Sequence, residues 1–205
     1  MILLLNCAFF YSLVSSYFTW FRGVTPEYIS YVNSSISSLV VIVAEKMQGP
    51  LVACDFLSGF LLYDTVRMLC NKDNSIDNKM YILFLSHHVI TFALCNSIYP
   101  SMYPDATSSI LMVEMTIPVS NLLWFLKFYN IEPLYRTLIK ALYFLLYTYY
   151  RVYNLTYILI NHYYEYSDTP AFYFLLGIII INVLWYVKII NKLKCLLPNA
   201  DTVKG

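Results

Sequence analysis

The stretch ATSSILMVEMTIPVSNLLWFLKF, residues 106–128, decides the solvent in which this chain folds. From Ala106 to Leu126 its one ionisable group is Glu114. At 1.5 Å per residue such a helix covers roughly 30 Å, the thickness of a bilayer's hydrocarbon core. A surface helix of a soluble domain would show one polar face, and this stretch is apolar nearly all round. Similar runs recur, and the sequence predicts helical spans near 2–21, 28–46, 50–70, 80–99, 106–128, 134–160 and 171–190. Between them stand Arg22-Gly23, Gly49-Pro50, the charged run Asn71 to Lys79, Pro100 with Pro104, Glu132-Pro133, and Asp168 to Pro170, which are helix-breaking or strongly polar.

Composition agrees. Of 205 residues, 60% are hydrophobic and only 12% charged, with a mean hydropathy of +0.60. A soluble domain usually carries about a quarter charged residues. The net charge of +1 and the lack of a basic cluster exclude nucleic acid as a partner, because phosphate contacts need grouped Lys and Arg. The expected fold is therefore all-α, a polytopic membrane bundle of about seven transmembrane helices.

Charge asymmetry tests that count, since Lys and Arg gather on the cytoplasmic side of short loops. Seven spans place Arg22, Arg67, Lys72, Lys79, Lys127, Arg136, Lys140, Lys188, Lys192, Lys194 and Lys204 on one side and only Lys46 on the other. The N-terminus is then lumenal or external and the C-terminus cytosolic. Residues 1–27 read as an N-terminal helix and loop, 28–192 as a six-helix membrane domain, and 193–205 as a short cytosolic tail. The alternative for Met1 to Phe21 is a cleaved signal, although no basic residue precedes the apolar run.

Cys7, Cys54, Cys70, Cys95 and Cys195 have no metal-type spacing and read as small packing residues. The glycosylation sequons at Asn33 and Asn154 fall inside spans, out of a glycosylating enzyme's reach. The 21 tyrosines read as packing and interfacial belts, as do Trp20, Trp124 and Trp185 near span ends.

The informative residues are the polar ones within spans: Asp55, Asp64, His87, His88, Glu114, Asn121 and Arg151. An ionisable group at mid-membrane costs roughly 2.5–3.5 kcal/mol on insertion scales, so it faces the bundle interior and has partners. Helical rise places Asp64, a histidine and Asn121 at comparable depths, roughly 9–12 Å from the cytosolic face. Glu114 and Arg151 are both roughly 12–14 Å from the other face, and are expected to pair. Glu114, Pro118 and Asn121 share one helix side, where the proline frees a carbonyl and can kink the helix toward a cavity. Adjacent histidines point about 100° apart, so only one of His87 and His88 should face a common site. The alternative readings are a Glu–Arg pair that only clamps the assembly and an Asp64 that is simply wet.

Three histidines in all, His87, His88 and His162, are too few for the di-iron cluster of membrane desaturases. Neither an HExxH zinc motif nor a GxSxG elbow occurs, and no metal is expected. Acid–base or nucleophilic work by His87 or His88, oriented by Asp64, on a lipid-soluble substrate survives this elimination.

The motifs GFLLYD (Gly59 to Asp64), SHHVITF (Ser86 to Phe92), VEMTIPVSNLLWFLK (Val113 to Lys127), Arg151 and NVLW (Asn182 to Trp185) resemble, in order and spacing, the TLC-domain family. That family is named for the translocating-chain-associating membrane protein, the longevity-assurance ceramide synthases and a ceroid lipofuscinosis protein of the endoplasmic reticulum. The resemblance covers roughly residues 28 to 192 and is nearest to the small TLC-domain-containing proteins. It implies a ring of six helices around a lipid-accessible cavity in the endoplasmic reticulum, with a role in membrane lipid balance. His87, His88 and Asp64 would then be catalytic or head-group-binding, and Glu114, Asn121 and Arg151 would contact substrate. Membrane lipids are the implied partners, with membrane-protein partners for an adaptor or translocation accessory. The ceramide synthases carry a His-Asp…Asp cluster where this chain has Ala106, Thr107 and Ile110. That difference counts against N-acyl transfer, and with it against acyl-CoA as co-substrate.

Overall fold

The structure is a computed structural model that describes residues 10–17, 26–70, 78–97 and 99–194. Cys7, Trp20, Arg22, Lys72, Cys195 and the tail from residue 195 onward lie outside the described residues. All regular structure among the described residues is helical. Within the first expected span, residues 10–17 form a helix, α1. Then follow α2 (Pro26–Gln48), α3 (Pro50–Cys70) and α4 (Asn78–Cys95). The rod α5 is Pro104–Phe128, α6 covers 133–161, and α7 is Pro170–Lys194.

Local chemistry sets the boundaries. Gly49 has φ +91° and ends α2, a left-handed conformation that glycine adopts without a Cβ penalty. Pro50, Pro104, Pro133 and Pro170 each open a helix, where a missing N–H costs nothing. The fourth helix stops at Cys95, short of the expected residue 99, and a one-turn helix, Tyr99–Met102, follows. There Asn96 Nδ2 donates to Phe92 O (2.8 Å) and Ser97 Oγ to Leu94 O (2.7 Å). These side chains take up carbonyls that the helix end leaves free.

Two rods are irregular inside. Pro118 cannot donate to the carbonyl of Glu114, and just upstream the backbone of α5 tightens into a 3-10 turn at Met112–Met115. In α6, Tyr147–Asn154 form a π-helix that contains Arg151.

Neighbouring helices are α2 with α3, α3 with α4, α4 with α7, α7 with α6, α6 with α5, and α5 with α2. Two apolar clusters hold them. One joins α2 and α3 to α5 through Val41, Ala53, Leu57 and Leu111. The other joins α4, α5, α6 and α7 through Leu94, Ile110, Leu155, Leu175 and Ile178. At Gly177 of α7 a Cβ would lie 3.2 Å from Ile90 Cδ1, so α4 and α7 approach closely.

The distribution of polarity is inverted relative to a soluble protein. Asn33, Ser37, Ser38, Glu114, Asn121, Arg151 and Asn182 are buried, whereas Leu39, Val43, Leu51, Leu69, Ile82, Val89, Leu145 and Ile180 are exposed. Such a surface suits hydrocarbon. By length and composition α2 (from Tyr28), α5, and α7 (to Asn191) qualify as membrane-crossing helices. The 21-residue α3 contains Asp55, Asp64 and Arg67, α4 contains both histidines, and α6 contains Arg151 and a tyrosine row. Those groups lower their mean apolarity.

Candidate intramembrane site

The histidines, successive on α4, face different surroundings. His88 turns to α3, where its Nε2 lies 3.7 Å from Asp64 Oδ2 and its Nδ1 lies 3.4 Å from Thr65 Oγ1. Asp64 Oδ1 accepts from Arg67 Nε at 2.9 Å, and Arg67 Nη2 donates to Ser30 Oγ of α2 at 2.9 Å. Asp64 thus links α3 to α4, and through Arg67 to α2.

Asn121 is bonded to α2 one turn further along, at Ser34, from the Ser30 that accepts from Arg67. Its Nδ2 lies within hydrogen-bonding reach of Tyr31 O (2.9 Å), Ser34 Oγ (2.8 Å) and Ser35 Oγ (2.9 Å), all on α2. Seven residues earlier on the same side of α5, Glu114 Oε2 accepts from Ser38 Oγ at 3.0 Å. The face bearing Glu114, Pro118 and Asn121 is therefore zipped to a serine row on α2.

The expected Glu114–Arg151 ion pair does not form. The ion pairs among the described residues are Lys46–Glu45, Arg67–Asp64 and His88–Asp64. Arg151 instead donates from Nε to Thr116 Oγ1 (2.6 Å) and from Nη1 to Asn182 Oδ1 (3.0 Å), with its guanidinium 5.6 Å from the Tyr147 ring centroid. Tyr147 Oη donates to Asn182 O at 3.0 Å. Helical rise places two groups at one height but does not set the direction in which each faces, and the π-helix around Arg151 alters that direction further.

His87 turns the other way. It lines a cavity at the junction of the two apolar clusters, with Thr91 and Cys95 of α4, Cys54 and Leu57 of α3, Thr107 and Glu114 of α5, and Ile178 of α7. The volume open to the centre of a water molecule is about 20 Å³, room for one or two waters. His87 Nδ1, Thr91 Oγ1 and Thr107 Oγ1 are all buried without a hydrogen-bond partner. Buried polar atoms are nearly always satisfied, and these three belong to side chains that line one cavity, although the surface open to it is apolar. Among the described residues no group of three His, Cys, Asp or Glu side chains is placed to hold a metal ion.

A model of the TLC domain matches residues 5–191. The chain belongs to the TLC-domain family. No curated protein and no solved structure matches it. Membership of the TLC-domain family and the apolar exterior make this a membrane protein with lipid-related roles. Thr91 and Thr107 were not among the residues expected to bind; Thr91 could have been found, since it lies one turn from His87 on the same helical face. Trp185, expected to serve packing or an interfacial belt, packs edge-on against His87 with ring centroids 5.1 Å apart.

Proposed function

We propose that this TLC-domain protein acts in membrane lipid homeostasis by binding or modifying a lipid in the cavity between α3, α4, α5 and α7. The observation that carries the reading is the set of unpartnered atoms on His87, Thr91 and Thr107 beside buried Glu114, in an otherwise apolar chamber. A lipid head carries hydrogen-bonding groups and its chains match the apolar walls. Water exclusion strengthens each such hydrogen bond. His87 is the head-group-contacting or reactive residue, and Glu114 the polar wall. His88 with Asp64, Asn121 and Arg151 position the helices that carry them.

In this reading the chain crosses the endoplasmic reticulum membrane seven times, N-terminus lumenal and C-terminus cytosolic, and its last six helices form a TLC-type ring. The neighbour order of α2 to α7, which returns from α5 to α2, supports that arrangement. The cavity is water-sized, so a bound acyl chain requires helices to part.

The test compares wild type, His87→Ala and His88→Ala, purified in detergent from an expressing cell, by mass spectrometry of the co-purifying lipid and of any acyl adduct. Wild type and His88→Ala are expected to retain lipid, and His87→Ala to lose it. Equal retention by all three, with an unchanged cellular lipid profile, would overturn the reading in favour of an adaptor whose polar residues only fix geometry.

A further inference from the structure

Two rings, each with one nitrogen that lacks a hydrogen-bond partner, are in contact where His87 lines the cavity. Trp185 Nε1 and His87 Nδ1 are both buried without a hydrogen-bond partner, and they belong to rings packed edge to face, 5.1 Å apart at 66°. One ring is on α7 and the other on α4, the two helices that approach closely at Gly177. Phe84 lies against the same indole with centroids 5.3 Å apart, holding it in place. An indole offers a single donor and no acceptor. A phenylalanine would pack here equally well without leaving a buried N–H unsatisfied, so the tryptophan needs an acceptor that the fold does not supply.

We infer that Trp185 and His87 together bind the carbonyl oxygen of a neutral acyl ester or amide at the α4–α7 seam. The inference rests on the lipid-cavity reading above and names the ligand group that the site recognises. A carbonyl oxygen has two lone pairs and can accept from the indole N–H and from an imidazole Nδ1–H together. Its chain then has apolar surroundings, because Leu94, Ile178, Ile110 and Leu111 line the same cavity as His87. A charged head group fits less well. Arg151 already donates to Thr116 and Asn182, Glu114 faces the same cavity, and Lys188, one turn along α7, is exposed. An anion would stay at Lys188 in contact with water instead of between two half-buried rings whose nitrogens are inaccessible.

The experiment uses full-length protein in lipid nanodiscs with methyl palmitate, heptadecane of similar chain length, and palmitate as probes. In the Trp20→Phe/Trp124→Phe protein, Trp185 is the sole indole. Its emission is expected to shift to the red with methyl palmitate and to stay unchanged with heptadecane, because only the ester accepts a hydrogen bond. Competition against a fluorescent acyl amide then gives affinities. Trp185→Phe is expected to reduce the preference for ester over hydrocarbon about five- to tenfold, the effect of one hydrogen bond, while leaving heptadecane binding unchanged. Equal emission shifts from ester and hydrocarbon, or an ester preference that survives in Trp185→Phe, would overturn the assignment. A stronger response to palmitate than to methyl palmitate would replace the neutral carbonyl by an anion. Failure of every probe to bind wild type would instead defeat the lipid-cavity reading, and this inference with it.

Discussion

Asn182→Leu is expected to destabilise the bundle more than Arg151→Met, although the arginine carries the charge. Asn182 is fully buried and Arg151 is 5% exposed, and the charge has no carboxylate partner in direct contact. Leucine at position 182 removes the oxygen that accepts from Arg151 Nη1 at 3.0 Å. A hydrogen bond to a charged group contributes about 1.5–3 kcal/mol, and the guanidinium stays buried without it. Methionine at position 151 removes the charge itself, whose burial at mid-membrane costs about 2.5–3.5 kcal/mol. The groups left behind keep other contacts. Thr116 Oγ1 donates to Val113 O at 2.9 Å, and Asn182 Oδ1 remains 3.3 Å from Tyr147 Oη. Arg151→Met should therefore stay within about 1 kcal/mol of wild type. One kcal/mol moves Tm by roughly 2–4 °C in a chain of this size. Thermal unfolding in detergent should show a fall of roughly 3–12 °C for Asn182→Leu. The double substitution should return close to Arg151→Met. If Arg151→Met is the more damaging single change and the double is additive, the arginine has a stabilising partner that this reasoning lacks.

Other outcomes follow from the same contacts. Asp64→Asn keeps the shape but weakens the link to Arg67 and His88, and should lower Tm by roughly 2–8 °C, for about 1–2 kcal/mol. Bound lipid measured by mass spectrometry should not change, and its loss would return Asp64 to the ligand-contacting groups. Asn121→Leu cuts the bonds to α2 while Ser34 and Ser35 keep Tyr31 O as acceptor. At about 0.6–1.7 kcal/mol per interhelical bond in a membrane, a Tm fall of more than about 10 °C would show a larger rearrangement than local loss. Gly177→Ala meets only the flexible end of Ile90, and the helix-propensity gain of about 1 kcal/mol offsets the crowding. Its Tm should stay within about 3 °C of wild type, and a larger fall would mean that the seam cannot yield.

The helices were legible where backbone chemistry is local. Gly49-Pro50, Pro133 and Pro170 mark ends that the structure reproduces to within a few residues. The end of α4 was misread because Ile98 and Tyr99 continue the apolar run, whereas Asn96 and Ser97 terminate it through side-chain hydrogen bonds that hydropathy does not weigh. The direction in which each polar side chain faces was not legible. Glu114 and Arg151 were expected to meet because their heights agree, and each turns to its own neutral partners. Trp185 was read by its distance from a span end, a measure that does not distinguish an outward ring from one packed on His87.

Polar groups inside a membrane are too costly to be neutral in an argument, and here they divide by satisfaction. Asp64, Asn121, Arg151 and Asn182 have partners on neighbouring helices. His87, Thr91 and Thr107 do not. The division runs between two consecutive residues, because the 100° step of a helix sends His88 to the carboxylate of Asp64 and leaves His87 for the cavity. A sequence that needed only an assembly clamp would gain nothing from the second imidazole. An apolar side chain at position 87 would pack against Trp185 without a desolvated nitrogen, and the proposed lipid ligand would supply the partner that the imidazole lacks within the fold.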